Sequence, residues 1–162
     1  MLILKPPTTS NDYVFIYYDN HGGPGVLGTP DVLRDITADK LSESFTKAAT
    51  LKLYKQCLFL IEACYSGSVA EVFTAPNLAT ITAANNKESS YAAVYDEEIG
   101  TYLSNEFTNY FISYIDENPS TIVGELFDYL QKNTERFHVC FFGDESIKSV
   151  SLSTFIGIPK KI

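Results

Sequence analysis

Three short apolar runs, each followed by a turn of small residues, constrain the fold of this chain more than any other feature. They occupy residues 13–18, 57–61 and 78–82 and consist of aromatic, aliphatic and β-branched residues with few exceptions. Strands that are apolar on both faces are typical of a parallel sheet that is covered by helices on both sides. The sequence therefore predicts an α/β fold with a mostly parallel sheet.

The segments between and after these runs show helical or turn spacing. Residues 37–53 place Leu41 and Phe45 on one side of a helix, with Thr37 as its N-cap. The other predicted segments are helices at residues 103–116 and 121–134, a polar loop at 84–101, a last strand at 138–142, and an edge strand or extended tail at 146–157. A chain of 162 residues fits one domain with its own core.

Composition argues against several classes of function. The formal charge is -8 and no basic stretch is present, so we expect no nucleic-acid partner. No apolar run approaches the roughly 20 residues that cross a bilayer, so we expect no membrane segment. The stretch from Met1 to Lys5 is too short for a signal peptide, so we expect none in this chain.

The three cysteines indicate neither a disulfide framework nor a zinc site, because their number is odd and no C-x-x-C spacing occurs. Cys57 and Cys140 lie inside apolar runs and are interpreted as core residues. Taken alone, Cys64 would more often be a buried structural thiol than a nucleophile. No metal and no cofactor are expected.

His21 and Cys64 are candidate catalytic residues because each follows one of the first two apolar runs and lies near glycine. Ligands of an open α/β sheet bind at the carboxyl ends of its strands, so we expect both side chains to face one cleft. A catalytic thiolate needs an imidazole nearby for proton transfer. The pair therefore favours thiol catalysis.

Three segments carry a longer pattern around these residues: DYVFIYYDNHGGPG at residues 12–25, IEACYSGS at 61–68 and TAANNKESSY at 82–91. Together they resemble the legumains, which are also called asparaginyl endopeptidases or vacuolar processing enzymes. The resemblance extends from about residue 10 to about residue 158 and is weaker between 106 and 125. It implies a caspase-like three-layer α/β/α sandwich, with residues 1–162 forming a single, partial peptidase domain.

The resemblance also implies a mechanism and a compartment. Cys64 would attack the scissile carbonyl, His21 would protonate the leaving amine, and the backbone N–H groups of Cys64 and Gly22 would form the oxyanion hole. The reaction would be hydrolysis of peptides or proteins after asparagine, through a thioester and without metal or cofactor. The compartment would be the lysosome or vacuole. The residues that would line the asparagine pocket are Glu62, Ser89, Ser90 and Asn105.

Two departures from the family pattern modify these expectations. Asn105 stands where the family usually has an aspartate, so we expect the pocket to admit aspartate more readily. Family members also carry an earlier strand and helices that supply a pocket arginine and an asparagine beside the histidine. We therefore expect low or absent peptidase activity for this chain alone, and self-association through an exposed sheet edge.

Two other functions stay open. The transamidase subunit that attaches lipid anchors to proteins shares the histidine and cysteine segments, although residues 23–25 and 62–64 are closer to the legumains. A module of the same fold could instead bind peptides or a partner chain without catalysis.

Overall fold

The computed structural model describes residues 8–31 and 35–157. The strands, in chain order, are β1 (Tyr13–Asp19), β2 (Gly22–Gly23), β3 (Val26–Leu27), β4 (Ile36–Thr37), β5 (Gln56–Glu62), β6 (Leu78–Thr82), β7 (Ala92–Asp96), β8 (Thr101–Asn105) and β9 (Cys140–Gly143). The helices are α1 (Ala38–Thr50), α2 (Gly67–Ala70), α3 (Glu106–Glu117), α4 (Val123–Asn133) and α5 (Ser153–Ile156), with a 3-10 turn at Glu145–Ser149.

The central sheet has four strands in the order β1-β5-β6-β9. The first three are parallel, and β9 runs antiparallel to β6. The prediction of a mostly parallel sheet is thus confirmed. Because β1 lies at one edge of this sheet, its residues are only half-buried from Tyr13 to Tyr18, whereas β5 and β6 are buried.

Helices cover both faces of the sheet, and alternate side chains of β5 point into the two cores that result. Leu58 and Leu60 point into the core that contains residues of α3, α4 and α5. Phe59 and Ile61 point into a second core, which contains Phe45 of α1. The strand is therefore apolar throughout because both of its faces are covered. The fold is a three-layer α/β/α sandwich of the caspase-like type.

Helix α1 begins and is capped as its sequence predicts. The Thr37 side chain accepts a hydrogen bond from the Lys40 N–H group at 3.4 Å, which satisfies one of the free donors of the first turn. Cys57 is 1% exposed, which confirms its interpretation as a core residue. Cys140 is only half-buried and lies outside both cores, so its interpretation as a core residue was wrong. It lies at the start of β9 on the open edge of the sheet, and its thiol donates to the His138 carbonyl at 3.2 Å.

Two sequence-based assignments of secondary structure were wrong. Residues 146–157 form the 3-10 turn and α5 instead of a strand, because Leu152 and Phe155 lie three residues apart and are both buried in the core. Residues 101–105, partly assigned to a helix, are strand β8, which pairs with β7 inside the expected polar loop. The β7–β8 turn is formed by Asp96, whose carboxylate accepts from two backbone N–H groups, and by Gly100 at φ +72°.

In the portion of the chain that the structure describes, every helix is too short or too polar to cross a bilayer.

Candidate active site

The loops after β1, β5 and β6 meet at the carboxyl end of the parallel strands. A Cβ atom placed on Gly22 would lie 2.5 Å from the Cys64 carbonyl oxygen and 2.9 Å from Ala63 Cβ, so the first two loops are in backbone contact. A Cβ atom on Gly67 would lie 2.8 Å from the Asn85 carbonyl carbon. Glycine is required at both positions because the neighbouring backbone leaves no room for a side chain.

The loop that carries His21 is a short hairpin made of β2 and β3. The His21 carbonyl accepts from the Gly28 N–H group and from the Tyr18 hydroxyl, both at 2.9 Å. Gly22 and Leu27 form the next pair along this hairpin. Because antiparallel pairs alternate, this pair is not hydrogen-bonded, and the Gly22 N–H group points out of the hairpin. The His21 residue itself is exposed.

Cys64 lies in the turn that follows β5 and is half-buried. Its Sγ atom contacts the Ser90 carbonyl oxygen at 3.6 Å. The next residue, Tyr65, has φ +55°, in the left-handed region that side chains disfavour, and its N–H group donates to the Glu88 carbonyl at 2.8 Å. Within residues 8–31 and 35–157, no acceptor is found for the Cys64 N–H group.

Ser68 joins the histidine loop to the cysteine loop. Its hydroxyl accepts from the Gly25 N–H group at 2.8 Å and donates to the Tyr65 carbonyl at 2.6 Å. One side chain therefore links both loops through hydrogen bonds, so their relative position depends on it.

Glu62, the last residue of β5, is a buried carboxyl group at 1% exposure. Its Oε2 atom accepts from the Thr108 N–H group at 3.3 Å, and Oε1 has no partner among the described residues. Burial raises its pKa to about 7, the nearby Asp19 acts in the same direction, and the Ser90 hydroxyl lowers the pKa as a hydrogen-bond donor. The group can therefore carry a proton near neutral pH.

Asn105 and Ser90, two of the predicted pocket residues, lie near Glu62. The Asn105 side-chain amide donates to Asp19 Oδ1 at 2.7 Å, and Asp19 Oδ2 accepts from the Thr108 hydroxyl at 3.4 Å. Since Thr108 also contacts Glu62, these side chains form one cluster. Ser89 is half-buried next to Ser90, and none of the hydrogen bonds found among the described residues involves its side chain.

Sequence reasoning missed Asp19 and Thr108. The sequence did contain a signal for Asp19. Strands β1 and β5 each end in an acidic residue two positions before a candidate catalytic residue: Asp19 precedes His21, and Glu62 precedes Cys64. The parallel register pairs Asp19 with Glu62 directly. Thr108 lies on α3 and had no comparable signal.

Glu88 holds the loop that carries Ser89 and Ser90. Its carboxylate accepts from the Asn85 N–H group at 3.1 Å and from the His138 N–H group at 2.7 Å, and contacts the His138 ring at 2.9 Å. His138 thus packs against this loop, the candidate substrate loop, while its side chain remains exposed. In the described part of the chain, no three His, Cys, Asp or Glu side chains converge as metal ligands would.

Comparison with known proteins places the chain in a family. The Peptidase C13 family model matches residues 7–158. The chain is 33% identical to mouse legumain over 150 residues, which cover 91% of this chain and 34% of that protein. It is 32% identical to the vacuolar-processing enzyme delta-isozyme of Arabidopsis thaliana, covering 91% and 35%. It is also 31% identical to the GPI-anchor transamidase of Saccharomyces cerevisiae over 124 residues, covering 75% and 30%.

The chain spans about a third of the length of these relatives. The family match covers nearly all of the chain and includes the histidine, cysteine and substrate-loop segments that contact one another at the ends of β1, β5 and β6. The chain belongs to the Peptidase C13 family.

Proposed function

We propose that this chain is a cysteine endopeptidase domain that hydrolyses peptide bonds after asparagine. In this mechanism His21 accepts the proton of the Cys64 thiol and the thiolate attacks the carbonyl carbon. The C–N bond then breaks as His21 gives the proton to the leaving amine, and water hydrolyses the resulting thioester. Two backbone donors, the N–H groups of Cys64 and Gly22, stabilise the oxyanion that forms in each step.

The observation that carries the proposal is the contact between Gly22 and the Cys64 backbone. It brings the histidine loop against the cysteine loop without any intervening side chain. The Gly22 N–H group points away from its hairpin, and the Cys64 N–H group lacks an acceptor in the described residues. Two such free donors beside a half-buried thiol are what a tetrahedral intermediate of acyl transfer requires.

The pocket for the asparagine side chain is proposed to be lined by Glu62, Ser90 and Asn105, with Ser89 beside them. The buried Oε1 atom of Glu62 has no partner among the residues that the structure describes and can accept from the substrate N–H₂ group. A neutral carboxyl at Glu62 could also donate to the substrate carbonyl oxygen. Substrates are therefore proteins or peptides that present an exposed asparagine.

A second candidate function is transamidation, in which an amine and not water attacks the thioester. The specific observation in its favour is the identity of 31% to the yeast GPI-anchor transamidase over three quarters of the chain. Both candidates share the acylation of Cys64 and differ in the second step. We favour hydrolysis in a lysosomal or vacuolar compartment because the legumain and vacuolar-processing relatives match a larger share of the chain.

The test is cleavage of a blocked peptide with a single central asparagine, followed by mass spectrometry of the products. Cleavage after asparagine should disappear in Cys64→Ser and fall strongly in His21→Ala. The control variant Cys57→Ser should still cleave the peptide after asparagine. Addition of hydroxylamine as an amine acceptor separates the two functions, because a transamidase yields mainly the hydroxamate. Cleavage that survives Cys64→Ser would contradict the proposal.

A further inference from the structure

Asp19 and Glu62 form an acidic pair at the ends of neighbouring strands. Their Cα atoms are partners in the parallel register of β1 and β5. Both side chains lie on the α3 side of the sheet, since Thr108 contacts Asp19 through its hydroxyl and Glu62 through its backbone N–H group. The same face therefore carries two carboxyl groups, each two positions before a candidate catalytic residue: Asp19 before His21 and Glu62 before Cys64.

Asn105 is oriented by Asp19. Its Nδ2 atom donates to Asp19 Oδ1 at 2.7 Å, so its amide oxygen is left to accept a hydrogen bond from elsewhere. Glu62 Oε1 is also an acceptor without a partner in the described residues, and only 1% of Glu62 is exposed. An unpaired buried acceptor costs free energy until a donor reaches it.

The acceptors of this cluster have no basic neighbour in the part of the chain that the structure describes. Neither Asp19 nor Glu62 forms an ion pair with a lysine, arginine or histidine there. Their partners are hydroxyl, backbone N–H and amide groups. A ligand side chain entering this cluster meets more acceptors than donors. It also meets the negative charge of Asp19 and, where Glu62 is ionised, of Glu62 as well.

We propose that Asp19 is a specificity-determining residue, which together with Glu62 makes the pocket select side chains that donate hydrogen bonds and reject those that carry a carboxylate. The proposal rests on the proposed peptidase function and deepens it. The carboxylate that position 105 lacks is supplied by Asp19 across the strand end. Discrimination against aspartate is thereby retained, contrary to what Asn105 alone would suggest.

The test measures binding, so that it does not depend on turnover. In a Cys64→Ala background, fluorescent blocked tripeptides Ala-Ala-Asn and Ala-Ala-Asp are titrated, and the ratio of their Kd values is compared between variants. Asp19→Asn should reduce the preference for the asparagine peptide by about tenfold, the effect of removing one partly solvated charge. The double variant Asp19→Asn with Asn105→Asp exchanges the positions of the carboxylate and the amide. It should therefore restore the Kd ratio to within about threefold of the parent value.

Asp128→Asn is the matched control, since Asp128 is exposed on α4 and has no hydrogen bond or ion pair among those found in the described residues. An unchanged ratio in Asp19→Asn, failure of the exchange to restore it, or absence of any preference in the parent protein would overturn the proposal. If the parent cleaves after asparagine while Asp19→Asn leaves the ratio unchanged, only this inference fails. If neither cleavage nor covalent labelling of Cys64 by an asparagine peptide occurs but the binding ratio changes as expected, the proposed function fails and this inference stands.

Discussion

Gly22 and Cys64 are in backbone contact: a Cβ atom on Gly22 would lie 2.5 Å from the Cys64 carbonyl oxygen. No side chain fits at that distance, so the histidine loop approaches the cysteine loop only because residue 22 is glycine. Residue 22 thereby controls the distance between the two candidate catalytic groups.

Gly22→Ala should therefore separate the loops and reduce peptide cleavage by about 100-fold, since misplacement of reacting groups by about 1 Å can have that effect. Gly23→Ala is the matched control, because its new Cβ atom would meet only Val26 Cγ2 at 3.4 Å. Cleavage rates and Tm are measured for both variants. Equal rates in the two variants would show that the contact does not position the site.

Ser68→Ala should lower both activity and stability. The variant loses the hydrogen bonds to the Gly25 N–H group and the Tyr65 carbonyl, so we expect a loss of about 1–3 kcal/mol in the free energy of unfolding and about tenfold in cleavage. Ser42→Ala removes one exposed hydrogen bond on α1 and serves as the control for loss of a serine hydroxyl. If urea unfolding and cleavage rates of the two variants agree, Ser68 does not couple the loops.

Glu62 should make the protein more stable as the pH falls from about 7 to about 4.5. Burial raises its pKa from 4.5 to about 7, so the folded state holds a proton that the unfolded state releases in this range. This contribution is fully present below the unfolded pKa and is lost as the pH rises through the folded value. Its size is at most about 3 kcal/mol.

The measurement is the free energy of unfolding of the parent and of Glu62→Gln across this pH range. The amide cannot titrate, so the advantage of Glu62→Gln should grow with pH, whereas Glu43→Gln on the surface of α1 should follow the parent. A difference between Glu62→Gln and the parent that does not vary with pH would contradict the raised pKa. Greater stability at acidic pH also suits an acidic lysosome or vacuole.

Glu88 should give stability the opposite pH dependence to that of Glu62. Burial raises the pKa of its carboxyl, but hydrogen bonds from the His138 side chain and from the Asn85 and His138 backbone outweigh burial, so the pKa is lowered overall. Its contribution to stability is therefore present above the unfolded value of 4.5 and is lost as the pH falls through the lower folded value.

Glu88→Gln should thus be less stable than the parent at about pH 7, with the difference disappearing under strongly acidic conditions. Glu117→Gln, an exposed change on α3, is the control. Thermal unfolding at several pH values is sufficient for this comparison. A destabilisation of Glu88→Gln that persists at the acidic end would mean that the carboxylate charge is not what holds the substrate loop.

The sequence predicted the elements that local pattern determines. The apolar runs identify β1, β5 and β6, and the spacing of Leu41 and Phe45 identifies α1, because burial on both sheet faces requires those patterns. The segment 101–105 is only partly apolar and largely exposed, and its strand depends on a cross-strand partner. Tyr102 packs against Tyr95 of β7 with ring centroids 5.0 Å apart, a contact that helical spacing alone does not reveal.

The candidate site also contains residues that local sequence predicts and contacts that it does not. The positions of His21 and Cys64 follow from strand ends, which local sequence marks. The Asp19–Asn105 hydrogen bond joins residues 86 positions apart, and Thr108 contacts both acidic residues from a helix. Such contacts arise from packing of α3 on the sheet, so no local pattern could indicate them.

The most direct test of the account is labelling with a peptide vinyl sulfone that carries asparagine at the position before its reactive group. A single covalent event requires only an assembled site, so slow turnover does not obscure the result. We predict one adduct, located by peptide mass spectrometry at Cys64, that is absent in Cys64→Ser and strongly reduced in His21→Ala. No adduct at Cys64 in folded protein, or equal labelling of Cys64 and Cys140, would contradict the assignment of Cys64 and His21 as the catalytic pair.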